Sequence, residues 1–223
     1  MEKFALFDAN MALVKDAKDV SRYFAESIMN IYGMIVSVNL AEYQGMSAKE
    51  TAMEILKKNG LKEDEIEERL DRLLEDLPYS YYNEAWSDRV LVIDGAERLL
   101  GSLRNKDIGI GMATGEPQRI AKMRLDKVKL SSYFSFGSYA EDGISPKEII
   151  NTALNRASAE LGLQSDEGIL FSAFPRFISA ARESGMYAVG VAGARFSTAE
   201  LISAGANEAA QSLKEEPKIL RQL

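Results

Sequence analysis

Phe4-Ala5-Leu6-Phe7-Asp8-Ala9-Asn10-Met11-Ala12-Leu13 decides how the rest of the chain is read. Four consecutive apolar residues ending on an aspartate do not alternate in and out. They fit a short strand buried on both faces, as in a parallel sheet covered by helices on each side. Asp8 then stands at the strand's carboxyl end, where open α/β sheets bind their ligands. After Leu13 the periodicity changes. Val20, Phe24, Ile28 and Ile31 recur at spacings of three and four, Ser47-Ala48-Lys49-Glu50 reads as a capping box opening a helix that stops at Gly60, and Ile66, Leu70, Leu73, Leu74 and Leu77 mark a third amphipathic helix ending before Pro78. The acidic run Glu63 to Glu68 is its solvated face.

Beyond Trp86 helices and strands alternate. The pattern predicts helices near Gly95–Asn105, Pro117–Lys127 and Pro146–Leu161 and one running through Arg182, with strands at Ile108–Ala113, Tyr133–Tyr139, Gly168–Ser172 and Tyr187–Val191. Such alternation implies right-handed crossovers and a parallel sheet. The helical stretch interrupts it, so residues 16–82 are expected as an all-helical domain inserted into a core made of 1–15 and 83–223. Tyr79, Tyr81, Tyr82 and Trp86 are expected to pack the hinge between the two, and Met29, Met34, Met46 and Met53 to fill core.

Composition shortens the list of chemistries. The chain has no cysteine and no histidine, which removes thiolate nucleophiles, disulfides, Ser-His-Asp triads and His-ligated zinc. A net charge of −7, from 34 acidic and 27 basic residues, works against binding nucleic acid or anionic lipid. The first strand starts at Phe4, leaving no room for a signal peptide, and the longest apolar stretch, Ile31 to Leu40, is too short and interrupted to span a bilayer. A cytoplasmic protein is expected.

The strand ends deliver Asp8 and Asn10, Thr114 and Gly115, and Ser172 to Arg176 to one crevice, with Lys147 at a helix start nearby. An aspartate beside backbone donors, a hydroxyl and a lysine has the parts that aspartyl-phosphate chemistry needs: nucleophile, phosphate cradle and charge neutralisation. That order of motifs resembles the haloacid dehalogenase superfamily over nearly the whole chain. The likeness is to members with a helical cap after the first motif, such as phosphoglycolate phosphatases and β-phosphoglucomutase-like proteins.

The resemblance implies a Rossmann-like, doubly wound parallel-sheet core with an inserted helical cap, and a magnesium-dependent phosphatase site. It makes Asp8 the nucleophile and metal ligand, Asn10 the occupant of the general acid/base position, Thr114 and Gly115 the second motif, and Lys147 the candidate third-motif lysine. Gly45 and Met46 resemble the cap's substrate-specificity loop.

The departures from the family pattern concern the chemistry. Asp-x-Asp-Gly-Thr-Leu reads here Asp8-Ala9-Asn10-Met11-Ala12-Leu13, and asparagine cannot shuttle a proton. Ala173 and Phe177 stand where the fourth motif places its metal carboxylates, so of the magnesium site that the resemblance implies only Asp8 is left; the site is expected to be lost and no cofactor is expected. Arg176, between them, is a candidate for positive charge where the metal would sit. Three functions remain open. One is a degenerate phosphatase fold that binds a small phosphorylated or carboxylated metabolite. Another is an active hydrolase using Asp8, either a phosphatase or a metal-independent dehalogenase-like enzyme, to which Ser172 lends some likeness. The last is a non-catalytic scaffold.

Overall fold

A computed structural model describes residues 3–85, 89–193, 195–214 and 217–222. Its main sheet has six strands, all parallel: β1 (Phe4–Phe7), β4 (Gly109–Ala113), β5 (Phe136–Ser138), β6 (Gly168–Ser172), β7 (Tyr187–Val191) and β8 (Glu208–Ala210), in the order β5-β4-β1-β6-β7-β8. β1 lies between β4 and β6, and all four of its residues are fully buried. Ala5 and Phe7 face one apolar cluster with α4 (Ala96–Asn105) and α5 (Gln118–Lys127), while Phe4 and Leu6 face a second with α6 (Pro146–Leu161), α7 (Pro175–Glu183) and α8 (Thr198–Ser203). This explains the unbroken apolar run: both faces of the strand are covered, and each large side chain contributes about 1.5–3 kcal/mol by leaving water. The chain winds outward from β1 in one direction through β4 and β5 and in the other through β6, β7 and β8. The carboxyl end of β1 is therefore the switch point at which a crevice opens.

Between β1 and β4 the chain leaves and returns through a two-stranded antiparallel ribbon, β2 (Val14–Asp16) against β3 (Val90–Val92). The ribbon was not expected, because three-residue strands carry no readable alternation. The helices α1 (Arg22–Tyr32), α2 (Ala48–Lys58) and α3 (Glu63–Ala85) lie between its strands and share a separate apolar cluster built on Phe24, Ile28, Ile55, Leu56, Ile66, Leu73 and Leu77. Ser47 caps α2 as its spacing predicts, its side chain accepting from the amide of Glu50 at 3.0 Å. Pro78 does not end α3, contrary to expectation: the helix runs through it to Ala85. The buried stripe explains this, since Leu73, Leu74, Leu77, Ser80 and Tyr81 continue on one face and outweigh the single backbone bond a proline forfeits.

Other expectations shift in detail. The strand expected over Tyr133–Tyr139 shrinks to Phe136–Ser138 after a 3-10 turn at Ser131–Tyr133, and α8 and β8 extend the fold beyond the last element read. Of the aromatic hinge group, Tyr81 is buried while Tyr79 and Tyr82 are exposed, and Trp86 lies outside the described residues. Met29 is exposed, not a core filler.

Hydrogen bonds and an ion pair help draw the helical unit onto the core. The amide of Ala48 donates to the carbonyl of Gly115 at 2.7 Å, the hydroxyl of Ser47 donates to the carbonyl of Ile144 at 2.6 Å, and Arg176 forms a two-pronged ion pair with Glu50 at 2.9 and 2.7 Å. Gly115 permits the first: a Cβ there would lie 2.8 Å from the Cα of Ser47.

Candidate active site

Asp8 leaves β1 into the crevice with 2% of its surface exposed. Its carboxylate is held from two strands. Thr114, just past β4, donates to Oδ1 at 2.8 Å, and Ser172, the last residue of β6, donates to Oδ2 at 3.2 Å. Burial pushes this carboxyl from its ordinary 3.8 up to about 7; the Thr114 hydrogen bond opposes the rise, and the nearby charge of Glu116 adds to it. The turn that follows is tight. Met11 adopts a left-handed φ of 63°, and its amide donates to the carbonyl of Val14 at 2.8 Å. A non-glycine residue rarely takes this conformation, so the loop keeps a shape suited to glycine although the glycine is gone.

Sequence reading missed the buried cation that reaches Asn10 and Glu116. Arg124, on α5, is 1% exposed and forms ion pairs with Glu116 and, at 3.4 Å, with Asp16. Its guanidinium also reaches Asn10 Oδ1 and the carbonyl of Val14, each at 3.4 Å, while Tyr81 of α3 donates to Asp16 at 2.7 Å. Burial acts to discharge the guanidinium, but the Glu116 and Asp16 charges more than offset it and keep it protonated. Burial likewise pushes the Glu116 carboxyl up, against the pull of Arg124. A signal for Arg124 existed: it falls on the buried stripe of α5 with Ile120, Ala121 and Leu125, where an arginine needs partners.

Two expected cations are elsewhere. Lys147 is paired with Glu183 at 2.9 Å on the surface, with 57% of its side chain exposed, and does not line the crevice. Arg176 is engaged by Glu50 at the junction with α2 and does not line the crevice. The amide of Gln118 at the start of α5 is already taken by the carboxylate of Glu141, at 3.0 and 3.1 Å. Gly45, Met46 and Gly115 do line a cavity of about 100 Å³ with Asp8, Asn10 and Thr114. The opposite wall is apolar, with Phe174 and Phe177 both buried.

A family model for haloacid dehalogenase-like hydrolases matches residues 5–191. The chain belongs to this family. Solved structures agree on the fold: CbbY from Rhodobacter sphaeroides in complex with phosphate superposes with a TM-score of 0.78 at 16% identity, each chain fully covered. A predicted phosphatase from Clostridium acetobutylicum gives 0.72 at 22% identity, again with full coverage. The β-phosphoglucomutase of Clostridium difficile gives 0.72 at 19%, covering 100% of this chain and 96% of its own. A search of curated proteins finds no match. The molecule thus has the hydrolase fold of the haloacid dehalogenase-like family.

The residues present do not fit the magnesium that this family implies. A hard divalent cation takes six oxygens in near-octahedral array, whereas the Ala173 and Phe177 side chains offer none. Phe177, 1% exposed, instead packs into the core cluster under α7. Both oxygens of Asp8 already accept hydroxyl donors, and the neighbouring carboxylates Glu116 and Asp16 are tied to Arg124. Among the described residues no group of three or more Asp or Glu is arranged to hold a metal ion.

Proposed function

We propose that this chain is a non-hydrolysing member of the haloacid dehalogenase family, in which the catalytic crevice serves as a small binding cavity. The observation that carries the reading is the state of Asp8: buried, hydrogen-bonded on both oxygens, with the neighbouring Glu116 tied to Arg124 and no lysine or arginine among the described residues lining the crevice to support a phosphoryl transition state. Phosphoryl transfer needs the developing charge on the phosphoryl oxygens neutralised. Asn10 also supplies no proton to a leaving group, a loss worth about 10²–10⁴ in rate where general acid catalysis operates.

The metal-independent hydrolase reading has Ser172 in its favour, since its hydroxyl steadies Asp8. It too requires an ionised nucleophile, and a carboxyl raised to about 7 is only half ionised at neutral pH. A titration with Mn²⁺, followed by its paramagnetic resonance signal, tests the metal side of the proposal. Wild type and Asp8→Asn should give the same weak, unsaturable response, whereas a stoichiometric site lost in Asp8→Asn would contradict it.

A further inference from the structure

We infer that the cavity between the strand ends and the helical unit receives a small organic ammonium ion, held by the carboxylates of Asp8 and Glu116 against an aromatic wall of Tyr23, Phe24, Phe174 and Phe177. This rests on the binding-cavity reading above and assigns the chemical class of what is bound.

Charge gives the first argument. No lysine or arginine is among the described residues that line the cavity, while Asp8 and Glu116 both do. The cation nearest to them, Arg124, is shared between Glu116 and Asp16, so two carboxylates already claim its single charge before Asp8 is counted. Arg176 and Lys147 are held by Glu50 and Glu183, and Lys58, which lies over the Tyr43 ring, does not line the cavity. An anion would enter a field of its own sign, and a cation a complementary one.

Hydrogen-bonding capacity agrees. Three donors that could cradle a phosphate are engaged within the protein: Thr114 donates to Asp8, Ser172 donates to Asp8, and the amide of Gln118 at the start of α5 is answered by Glu141. Acceptors are in surplus. Glu116 Oε2 and Gln44 Oε1, both on residues lining the cavity, are buried with no hydrogen-bond partner. Both residues carry acceptor capacity that no group of the protein meets.

The remaining surface is aromatic. Five aromatic residues, Tyr23, Phe24, Tyr43, Phe174 and Phe177, line the cavity beside the two carboxylates, and aromatic rings and carboxylates both attract an organic cation. The cavity, about 100 Å³, is small beside the roughly 300–1,000 Å³ typical of drug-sized ligand sites, which restricts the occupant to a compact molecule.

A quaternary ammonium probe separates this inference from its alternatives, because its charge does not titrate. In calorimetric titrations at pH 8, choline chloride should bind the intact protein saturably at one site. Its uncharged carbon isostere, 3,3-dimethyl-1-butanol, should bind at least tenfold more weakly, and inorganic phosphate should not bind at the site. Asp8→Asn should weaken choline at least tenfold, with its fold confirmed by circular dichroism. Absence of saturable choline binding, equal binding of the alcohol, or phosphate binding more tightly than choline would each overturn the assignment. None of these outcomes bears on hydrolysis, so the ligand class can fail while the non-hydrolysing reading stands.

Discussion

Replacing Asp8 by asparagine should stabilise the protein, and the gain should grow with pH. The carboxyl is buried and its pKa is raised to about 7 from 3.8. Between those values the folded state holds a proton that the unfolded chain has released, so wild-type stability falls as pH rises through the window and levels off above 7. With 1.36 kcal/mol per unit, the 3.2-unit difference amounts to about 4 kcal/mol at pH 8 and about 1.5 kcal/mol at pH 5. The introduced amide stays uncharged throughout. Its Oδ1 can still accept from Thr114, and its Nδ2 can donate to Ser172 Oγ, so the hydrogen bonds survive a change of direction. The variant's advantage over wild type should therefore widen by about 2.5 kcal/mol between pH 5 and pH 8, equivalent to about 5–10 °C in melting temperature for a chain of this size. Paired thermal melts from pH 5 to 8.5 read this directly. An asparagine variant no more stable than wild type at pH 8, or more stable by a constant amount at every pH, would refute the argument that Asp8 is held at a cost.

Arg124→Met removes the only cation shared by Glu116 and Asp16 and should cost about 3–5 kcal/mol at pH 8, as breaking a buried pair does. The loss should shrink as the pH falls, because burial raises the Glu116 carboxyl and favours its uncharged form; urea unfolding at pH 8 and pH 5 measures it. Restoring the family's carboxylates and hydroxyl together, with Asn10→Asp, Ala12→Thr, Ala173→Asp and Phe177→Asp, should create magnesium-dependent hydrolysis of a generic phosphomonoester, while each single change should do little. Phe177→Asp places a charge at a fully buried aromatic position and should cost about 3–5 kcal/mol, so melting temperatures must accompany the activity assays.

Much of the architecture was legible because burial leaves a period in the sequence. Phe4 to Phe7 is apolar throughout because both faces of β1 are covered, and the spacing from Val20 to Leu77 announces helices. Elements held by tertiary contacts were harder to see. The ribbon of β2 and β3 is too short to show a pattern, and the extension of α3 past Pro78 depends on the packing of Ser80 and Tyr81 beneath it. At the site, residues at strand ends were readable: Asp8, Thr114 and Ser172 converge because parallel strands all end on one side of the sheet. Long side chains were not. Lys147 and Arg176 point to Glu183 and Glu50, distant partners that spacing does not reveal. Arg124 was legible only as a basic residue on an apolar stripe, and its three-way pairing with Glu116 and Asp16 joins elements that only the fold brings together.

The central claim is that the family's crevice no longer hydrolyses phosphomonoesters. The most direct measurement compares phosphate release by wild type and Asp8→Asn from p-nitrophenyl phosphate and a set of sugar and carboxylic-acid phosphomonoesters, with saturating Mg²⁺ at pH 7 to 8. The account predicts the same background rate for both proteins on every substrate; turnover by wild type that disappears in Asp8→Asn would contradict it.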